Sequence, residues 1–181
     1  MTKNNHFFKI PLVCAAGNSF TNWMKLLIDN RFRVEARYIP KAIMVTLITL
    51  LLSPFALFEK IFFGKKISRT KIASPVFIIG HMRTGTTFLH NLMSKDKRFA
   101  YVTTSEAIFP WVFITLGSFL KWIMKIVLPK KRPMDDMEFS VDLPQEDEFA
   151  IANRCPYSPN NGAYFPKSIE RYYRKYTFFE N

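Results

Sequence analysis

The chain has 181 residues, 26 of them basic and 14 acidic, and its formal net charge is +12. This length suffices for one domain with a substantial core, and the positive charge suits nucleic acid, anionic lipid or an anionic cofactor as a partner. Because no helix-turn-helix, zinc-finger or RNA-binding aromatic motif accompanies the charge, nucleic acid is not expected as a partner. Cys14 and Cys155 are far apart and lack metal-ligand neighbours, which indicates free thiols in a reducing compartment and no metal site.

The first predicted helix is short and amphipathic. Ser19 or Thr21 can cap a helix that runs through Asp29. Three large apolar side chains share one face of this helix: Trp23, Leu26 and Leu27. The pattern therefore predicts a helix with that face in the core.

A stretch of 17 residues without a charge, from Ala42 to Phe58, forms the second predicted helix. A full membrane span needs about 20 apolar residues, so the stretch lies at the lower limit for spanning, and Pro54 would kink it. Both flanks are basic, so the positive-inside rule assigns no orientation. Three interpretations stay open: a helix that lies in or dips into an anionic leaflet, a true span, and a buried core helix. The first is favoured, and residues 1–73 are expected to form a helical leader.

The segment from Pro75 to His90 combines a strand pattern, a glycine loop and a helix pattern. Val76–Ile79 is a run of β-formers that ends at Gly80, and a Gly-Thr-Thr sequence at 85–87 precedes apolar residues at helical spacing. A strand, a loop and a helix in this order point backbone N–H groups and a helix N-terminus at an anion. We therefore expect a phosphate-like group to bind here, unless the glycines only make a tight turn.

The charge of this loop distinguishes it from the P-loop of nucleotide hydrolases. Gly80 and Gly85 keep the P-loop spacing, but Thr86 stands at the position of the lysine, and Arg83 is the only cation of the loop. The five residues from Arg83 to Thr87 resemble instead the 5′-phosphosulfate loop of sulfotransferases, which reads Lys or Arg, Ser or Thr, Gly, Thr or Ser, Thr. All five positions match.

The resemblance implies a donor, a fold and a set of binding residues. Sulfotransferases use 3′-phosphoadenosine 5′-phosphosulfate (PAPS) as sulfuryl donor, and sulfuryl transfer needs no metal. Their P-loop-like three-layer α/β fold has a parallel sheet, of which residues 74–181 would hold an incomplete, N-terminal part. The 5′-phosphosulfate would be bound by five loop residues: Arg83, Thr84, Gly85, Thr86 and Thr87. Arg83 would also be catalytic, because it would neutralise charge on the bridging oxygen.

Glu106 is the first candidate for the catalytic base. It follows Phe99–Thr103, a second predicted strand that would lie parallel to the first in a β-α-β unit. Ligand sites in such sheets lie beyond the carboxyl ends of the strands, so Glu106 would lie near the Arg83 loop. In several sulfotransferase branches a Glu at about this place accepts the proton of the attacking hydroxyl. The alternative is a Glu that stabilises the dipole of the next helix from its N-terminus.

Residues 107–128 form another apolar segment, in which Lys121 and Lys125 are four residues apart. The spacing places both lysines on one face of a helix. We expect an amphipathic helix that lies on the membrane or covers an apolar acceptor pocket. A core helix with two snorkelling lysines is an equal alternative.

Seven of the 14 acidic residues fall within 135–148. Such a run is usually a solvated face, but the acids after Pro144 also suit the first turn of a helix. Residues 132–137 and 144–148 resemble stretches of a bacterial-type branch of the sulfotransferases, and the second stretch would line the acceptor site. Glu148 or Glu146 is the reserve base if Glu106 is structural.

The resemblance predicts a sulfotransferase that acts on a hydroxyl of a carbohydrate, a lipid or a small alcohol. The enzyme would lie on the cytoplasmic side of a membrane, where the donor is available, as a peripheral or single-helix-anchored protein. Only two strands and no 3′-phosphate site can be recognised, so a fragment with weak or no turnover of its own is expected. The alternatives are a P-loop kinase or NTPase and a non-catalytic membrane-associated protein with the same fold.

Overall fold

The structure is a computed structural model that describes residues 15–72, 74–81, 84–129, 131 and 138–180. The α-helices in these ranges are α1 (Phe20–Asp29), α2 (Ile39–Arg69), α3 (Thr86–Met93), α4 (Thr104–Ile108), α5 (Gly117–Val127), α6 (Asp147–Arg154) and α7 (Ile169–Thr177). Short 3₁₀ helices occupy Ala36–Tyr38, Pro159–Tyr164 and Pro166–Ser168.

Helix α1 confirms the predicted cap and the predicted core face. The Ser19 side chain accepts a hydrogen bond of 3.0 Å from the backbone N–H of Asn22, which satisfies a donor of the first turn. One hydrophobic cluster contains the three predicted residues, with partners from α2 and from the C-terminal part of the described chain: Ala15, Trp23, Leu26, Leu27, Val45, Phe165 and Tyr172.

Helix α7 closes this cluster through Tyr172. The Tyr172 hydroxyl accepts a hydrogen bond from Asn30 Nδ2 at 2.8 Å and donates one to Asp29 Oδ2 at 3.1 Å. Burial raises the pKa of Tyr172 to about 12, and the neighbouring Asp29 carboxylate acts in the same direction. Ser168 stands at the N-cap of α7, but its side chain makes no cap hydrogen bond.

Helix α2 has 31 residues, so it is about 46 Å long. It contains the predicted 42–58 segment and continues through Pro54 without ending there. Residues 36–69 form the one segment of the described chain that is long and apolar enough, by length and composition only, to cross a membrane. Three of its side chains are buried against the rest of the protein: Val45, Thr49 and Glu59.

The predicted helix over 107–128 is wrong as a single element. Helix α4 ends at Ile108, turns follow, and α5 begins at Gly117. Pro110 explains the break, because a residue before proline is driven out of the helical region; Phe109 accordingly has φ −119° and ψ 61°. A second hydrophobic cluster forms around this break: Ile108, Phe109, Val112, Leu120, Met124 and Val141, with Leu52 and Ala56 of α2 packed against it.

The predicted parallel sheet is not found among the described residues. Residues 75–81 pair with no strand, and Val76, Phe77 and Ile79 are 58%, 78% and 93% exposed, although the pattern predicted a buried strand. Residues 99–103 meet the segment before α6 instead. The Gln145 N–H donates to Val102 O at 2.9 Å, and Thr103 and Pro144 form an isolated antiparallel bridge. The backbone N–H and C=O groups of a strand need hydrogen-bond partners. The second predicted strand finds them in the segment before α6 and not in the first predicted strand.

Buried asparagines hold α6 against α1 and α4. Asn153 Nδ2 donates to the carbonyls of Ala107 and Ile108 at 3.2 and 3.0 Å. Asn22 Nδ2 donates to Ala152 O at 2.8 Å. These contacts fix the short helix α4, on which Glu106 lies.

Candidate functional site

Two glycines flank the loop before α3, and each occupies a constrained position. A Cβ atom on Gly80 would lie 2.6 Å from Thr86 Cγ2 and 3.0 Å from Thr84 Oγ1, so a larger residue would require these threonine side chains to shift. Gly85 precedes α3 with a φ of 88°, in the left-handed region that favours glycine. The Thr84 hydroxyl donates to His81 O at 2.6 Å and closes the turn.

The loop leads directly into the N-terminus of α3. Thr86 and Thr87 are the first residues of this helix, and its first turn carries no acidic side chain. The first N–H groups of a helix have no intrahelical acceptor and carry partial positive charge, so they suit an anion. The described part of the loop therefore fits a phosphate or sulfate group. Arg83 lies outside the described residues, and its predicted contact with the donor stays a prediction.

Glu106 forms a capping box with Thr103 at the start of α4. Glu106 Oε2 accepts hydrogen bonds from the Thr103 N–H at 2.8 Å and from the Thr103 hydroxyl at 2.7 Å. The Thr103 side chain also accepts from the Glu106 N–H at 3.4 Å. This is the helix-stabilising role that the sequence left open as an alternative to catalysis. Glu106 Oε1 accepts no hydrogen bond within the described part of the chain.

Glu106 also lines a cavity of about 220 Å³ between α4 and α5. The polar residues that line the cavity are Thr103, Ser105, Glu106, Ser118 and Lys121, and its other lining residues are Phe109, Phe113, Leu120 and Gly117. A hydroxyl on an apolar molecule could therefore reach a carboxylate here while its apolar part contacts phenylalanine. The sequence predicted that 107–128 could cover such a pocket, but not which side chains would line it.

The two lysines of α5 meet one carboxylate. Lys121 and Lys125 both form ion pairs with Asp142, the second at 3.8 Å between Nζ and Oδ2. This confirms that the lysines share a helical face. Lys121 belongs both to this ion pair and to the cavity wall, so the lining of the cavity includes a cation as well as the Glu106 carboxylate.

Glu148, the reserve base, lies elsewhere. It is in the first turn of α6, where its Oε1 accepts a hydrogen bond from the Ser158 hydroxyl at 2.6 Å. It does not line the cavity that contains Glu106. The predicted helix start after Pro144 is confirmed, with Glu146 at the N-cap and Asp147 in the first turn. Within the described ranges, no group of three or more His, Cys, Asp or Glu residues could hold a metal ion.

Comparison with known proteins shows which family the chain is similar to. Residues 75–153 match the model of the sulfotransferase family. Over 157 residues, or 86% of the chain, the sequence is 38% identical to the omega-hydroxy-beta-dihydromenaquinone-9 sulfotransferase Stf3 of Mycobacterium bovis, and the protein of that name from Mycobacterium tuberculosis matches equally well. The chain spans 40% of the length of these relatives. No solved structure matches it. Residues 75–153 are therefore similar to the sulfotransferase family.

Proposed function

We propose that this protein transfers a sulfuryl group from PAPS to a hydroxyl group of a lipid. Similarity to the sulfotransferase family supports the reaction and implies a P-loop-like α/β fold for the domain to which residues 75–153 belong. The observation that carries the proposal is the pair of constrained glycines, Gly80 packed against Thr86 and Gly85 with a φ of 88°, directly before the N-terminus of α3. That arrangement suits the 5′-phosphosulfate of the donor.

The loop residues would share the binding of the donor. The backbone of Thr84–Thr87 would present N–H groups to the sulfate and the 5′-phosphate, and the hydroxyls of Thr86 and Thr87 would add hydrogen bonds. Arg83 would neutralise the charge that develops on the bridging oxygen as the bond from sulfur to that oxygen breaks. The leaving group is then 3′-phosphoadenosine 5′-phosphate.

Glu106 would act as the general base. As the acceptor oxygen attacks sulfur, its proton passes to the carboxylate, and a new bond between oxygen and sulfur replaces the one to the leaving phosphate. The capping box supports this role, because it holds Oε2 in place and leaves Oε1 for an acceptor in the cavity. Glu148, with its oxygen bound to Ser158, has less support as the base.

A lipid is the acceptor class with most support. The two relatives are named for a menaquinone, which is a lipid with a long apolar tail. The apolar residues that line the cavity and the exposed apolar surface of α2 suit an acceptor of this kind. The donor is a cytosolic nucleotide, so the reaction would take place at the cytoplasmic face of a membrane.

The test is calorimetry on the full-length protein with adenosine 3′,5′-bisphosphate and, separately, with ATP and Mg²⁺. We expect binding of the bisphosphate without a metal requirement and little binding of ATP. Preference for ATP with Mg²⁺ would instead indicate a kinase or NTPase. Binding of neither nucleotide would indicate a protein that has the fold without the chemistry.

A further inference from the structure

Helix α2 contacts the rest of the protein along its side. The half-buried and buried residues recur at helical spacing and form one stripe: Ala42, Val45, Thr46, Thr49, Leu52, Ala56 and Glu59. The N-terminal half of the stripe packs on the cluster around Trp23, and the C-terminal half packs on the cluster around Val112. Both halves of the apolar stretch are therefore attached to the body of the protein.

Two polar contacts mark the ends of this attachment. Trp23 Nε1 donates to Thr46 Oγ1 at 2.9 Å. Glu59 Oε1 accepts from the Thr115 N–H at 2.6 Å and from the Thr115 hydroxyl at 2.7 Å. Thr46 and Glu59 are about 20 Å apart along the helix axis. The body therefore lies beside α2, and not beyond one of its ends.

The opposite side of α2, which we call the outward face, is apolar and exposed. It comprises Ile43, Met44, Leu47, Leu51, Phe55, Phe58, Ile61 and Phe62, whose exposed fractions run from 39% for Met44 to 71% for Leu51. The face carries no charged residue over a length of about 30 Å. Contiguous apolar surface of this extent on a soluble protein marks an interaction site.

Basic residues continue the outward face at its C-terminal end. Lys65, Lys66 and Arg69 are exposed in the last turns of α2, and no acidic residue lies between Lys60 and Lys71. Lysines and arginines beside an apolar helix face are attracted to the negative surface potential of anionic lipids. The charge therefore favours an anionic leaflet over a second protein as the occupant of the face.

We propose that α2 lies in the plane of an anionic leaflet, with the outward face among the acyl chains and the body on the aqueous side. A perpendicular span would draw the flanking body into the hydrocarbon, including exposed charged side chains such as Asp29 and Arg171, or Lys125 and Asp142, which are costly to remove from water. The in-plane orientation leaves these charged groups in water. The proposal deepens the proposed function, because it places the candidate site beside the leaflet that would hold a lipid acceptor, but its evidence is independent of catalysis.

Vesicle flotation tests whether the face binds lipid. We expect the chain to float with vesicles of phosphatidylglycerol and phosphatidylcholine, and much less with phosphatidylcholine alone or at high salt. Leu51→Glu and Phe58→Glu should each lower binding on the order of ten-fold or more. Ile28→Glu is the matched control, because Ile28 is exposed by 59% on α1 and should tolerate the charge without loss of binding. Circular dichroism of each variant shows that it remains folded.

Depth measurements test the orientation. A fluorophore on a single cysteine introduced at Ile43, Leu51, Phe58 or Phe62, with Cys14 and Cys155 replaced by serine, would be quenched by lipids labelled at known depths. An in-plane helix gives similar shallow depths at all four positions. A spanning helix would give depths that differ by up to about 28 Å between Ile43 and Phe62 and would overturn the proposal. Failure of the chain to bind anionic vesicles would also overturn the proposal. Self-association of the chain that is abolished by Leu51→Glu would overturn it too, because the outward face would then bind a second copy.

Discussion

Glu106 has two roles that can be separated, because glutamine can replace glutamate in a capping box but cannot accept a proton. In Glu106→Gln the side-chain oxygen can still accept from the Thr103 N–H, which lies 2.8 Å from Oε2. We expect the free energy of unfolding to change by less than about 0.5 kcal/mol, while the rate of sulfuryl transfer falls on the order of 10²–10⁴-fold. Binding of adenosine 3′,5′-bisphosphate should be unchanged.

Thr103→Ala should do the reverse. It removes the side chain that accepts from the Glu106 N–H, so the cap is lost and the protein should become less stable by about 1 kcal/mol, or roughly 2–4 °C in Tm. The carboxylate remains, so the rate should fall by less than about ten-fold. Thr103→Ser keeps the cap and is the matched control.

The assays are urea unfolding for stability and transfer of radioactive sulfate from labelled PAPS to a lipid alcohol for the rate, both on the full-length protein. A Glu106→Gln variant with a near wild-type rate would refute the role as base. A Glu106→Gln variant as unstable as Thr103→Ala, with its rate reduced only in proportion to the unfolded fraction, would show that Glu106 is structural.

Three further predictions concern the loop, a close packing contact and pH. Arg83→Ala should lower the transfer rate on the order of 10²-fold or more, with Arg83→Lys less affected, and near wild-type turnover in the alanine variant would contradict its role. Gly17→Ala should lower the free energy of unfolding by about 1–3 kcal/mol, because the new Cβ would lie 1.8 Å from Ile108 O. In Gly64→Ala the new Cβ would have no neighbouring atom within 4 Å, so the free energy of unfolding should rise by about 0.5–1 kcal/mol. Equal changes for the two variants in urea unfolding would contradict the close contact at Gly17. Burial raises the pKa of Tyr172 to about 12, so the unfolded state loses the phenol proton before the folded state does as the pH rises. The contribution of Tyr172 to stability is therefore present below about pH 10 and is lost between about pH 10 and 12. The urea midpoint should therefore fall less over this range in Tyr172→Phe than in the wild type, and parallel curves would show that Tyr172 is not responsible.

Features set by neighbouring residues could be predicted from the sequence. The Ser19 hydroxyl caps α1 by accepting a hydrogen bond from a backbone N–H only three residues later in the chain. The start of α6 depends on the acidic residues of its own first turn. The capping role of Glu106 could be foreseen as an alternative for the same reason. The break at Pro110 could also have been predicted, because the proline stands in the sequence between the two parts of the expected helix.

Features set by residues that are distant in the sequence could not be predicted from the sequence. The pattern of 99–103 predicts an extended segment but does not identify its partner, and in the structure this segment meets Pro144 and Gln145. The cavity lining combines α4, the turns after it and α5, so it depends on how these elements pack. For α2, hydropathy showed that the helix is apolar. The one-sided attachment became visible only with the side chains that pack against it.

The short hydrogen bonds between Glu59 and Thr115 join two parts of the protein that meet different surroundings. Thr115 lies two residues before Gly117 and three before Ser118, both of which line the cavity, while Glu59 is on the helix that carries the outward face. A tilt or axial shift of α2 therefore either moves the wall of the cavity or breaks these bonds. These two hydrogen bonds therefore connect the position of α2 to the segment that enters the wall of the cavity beside Glu106.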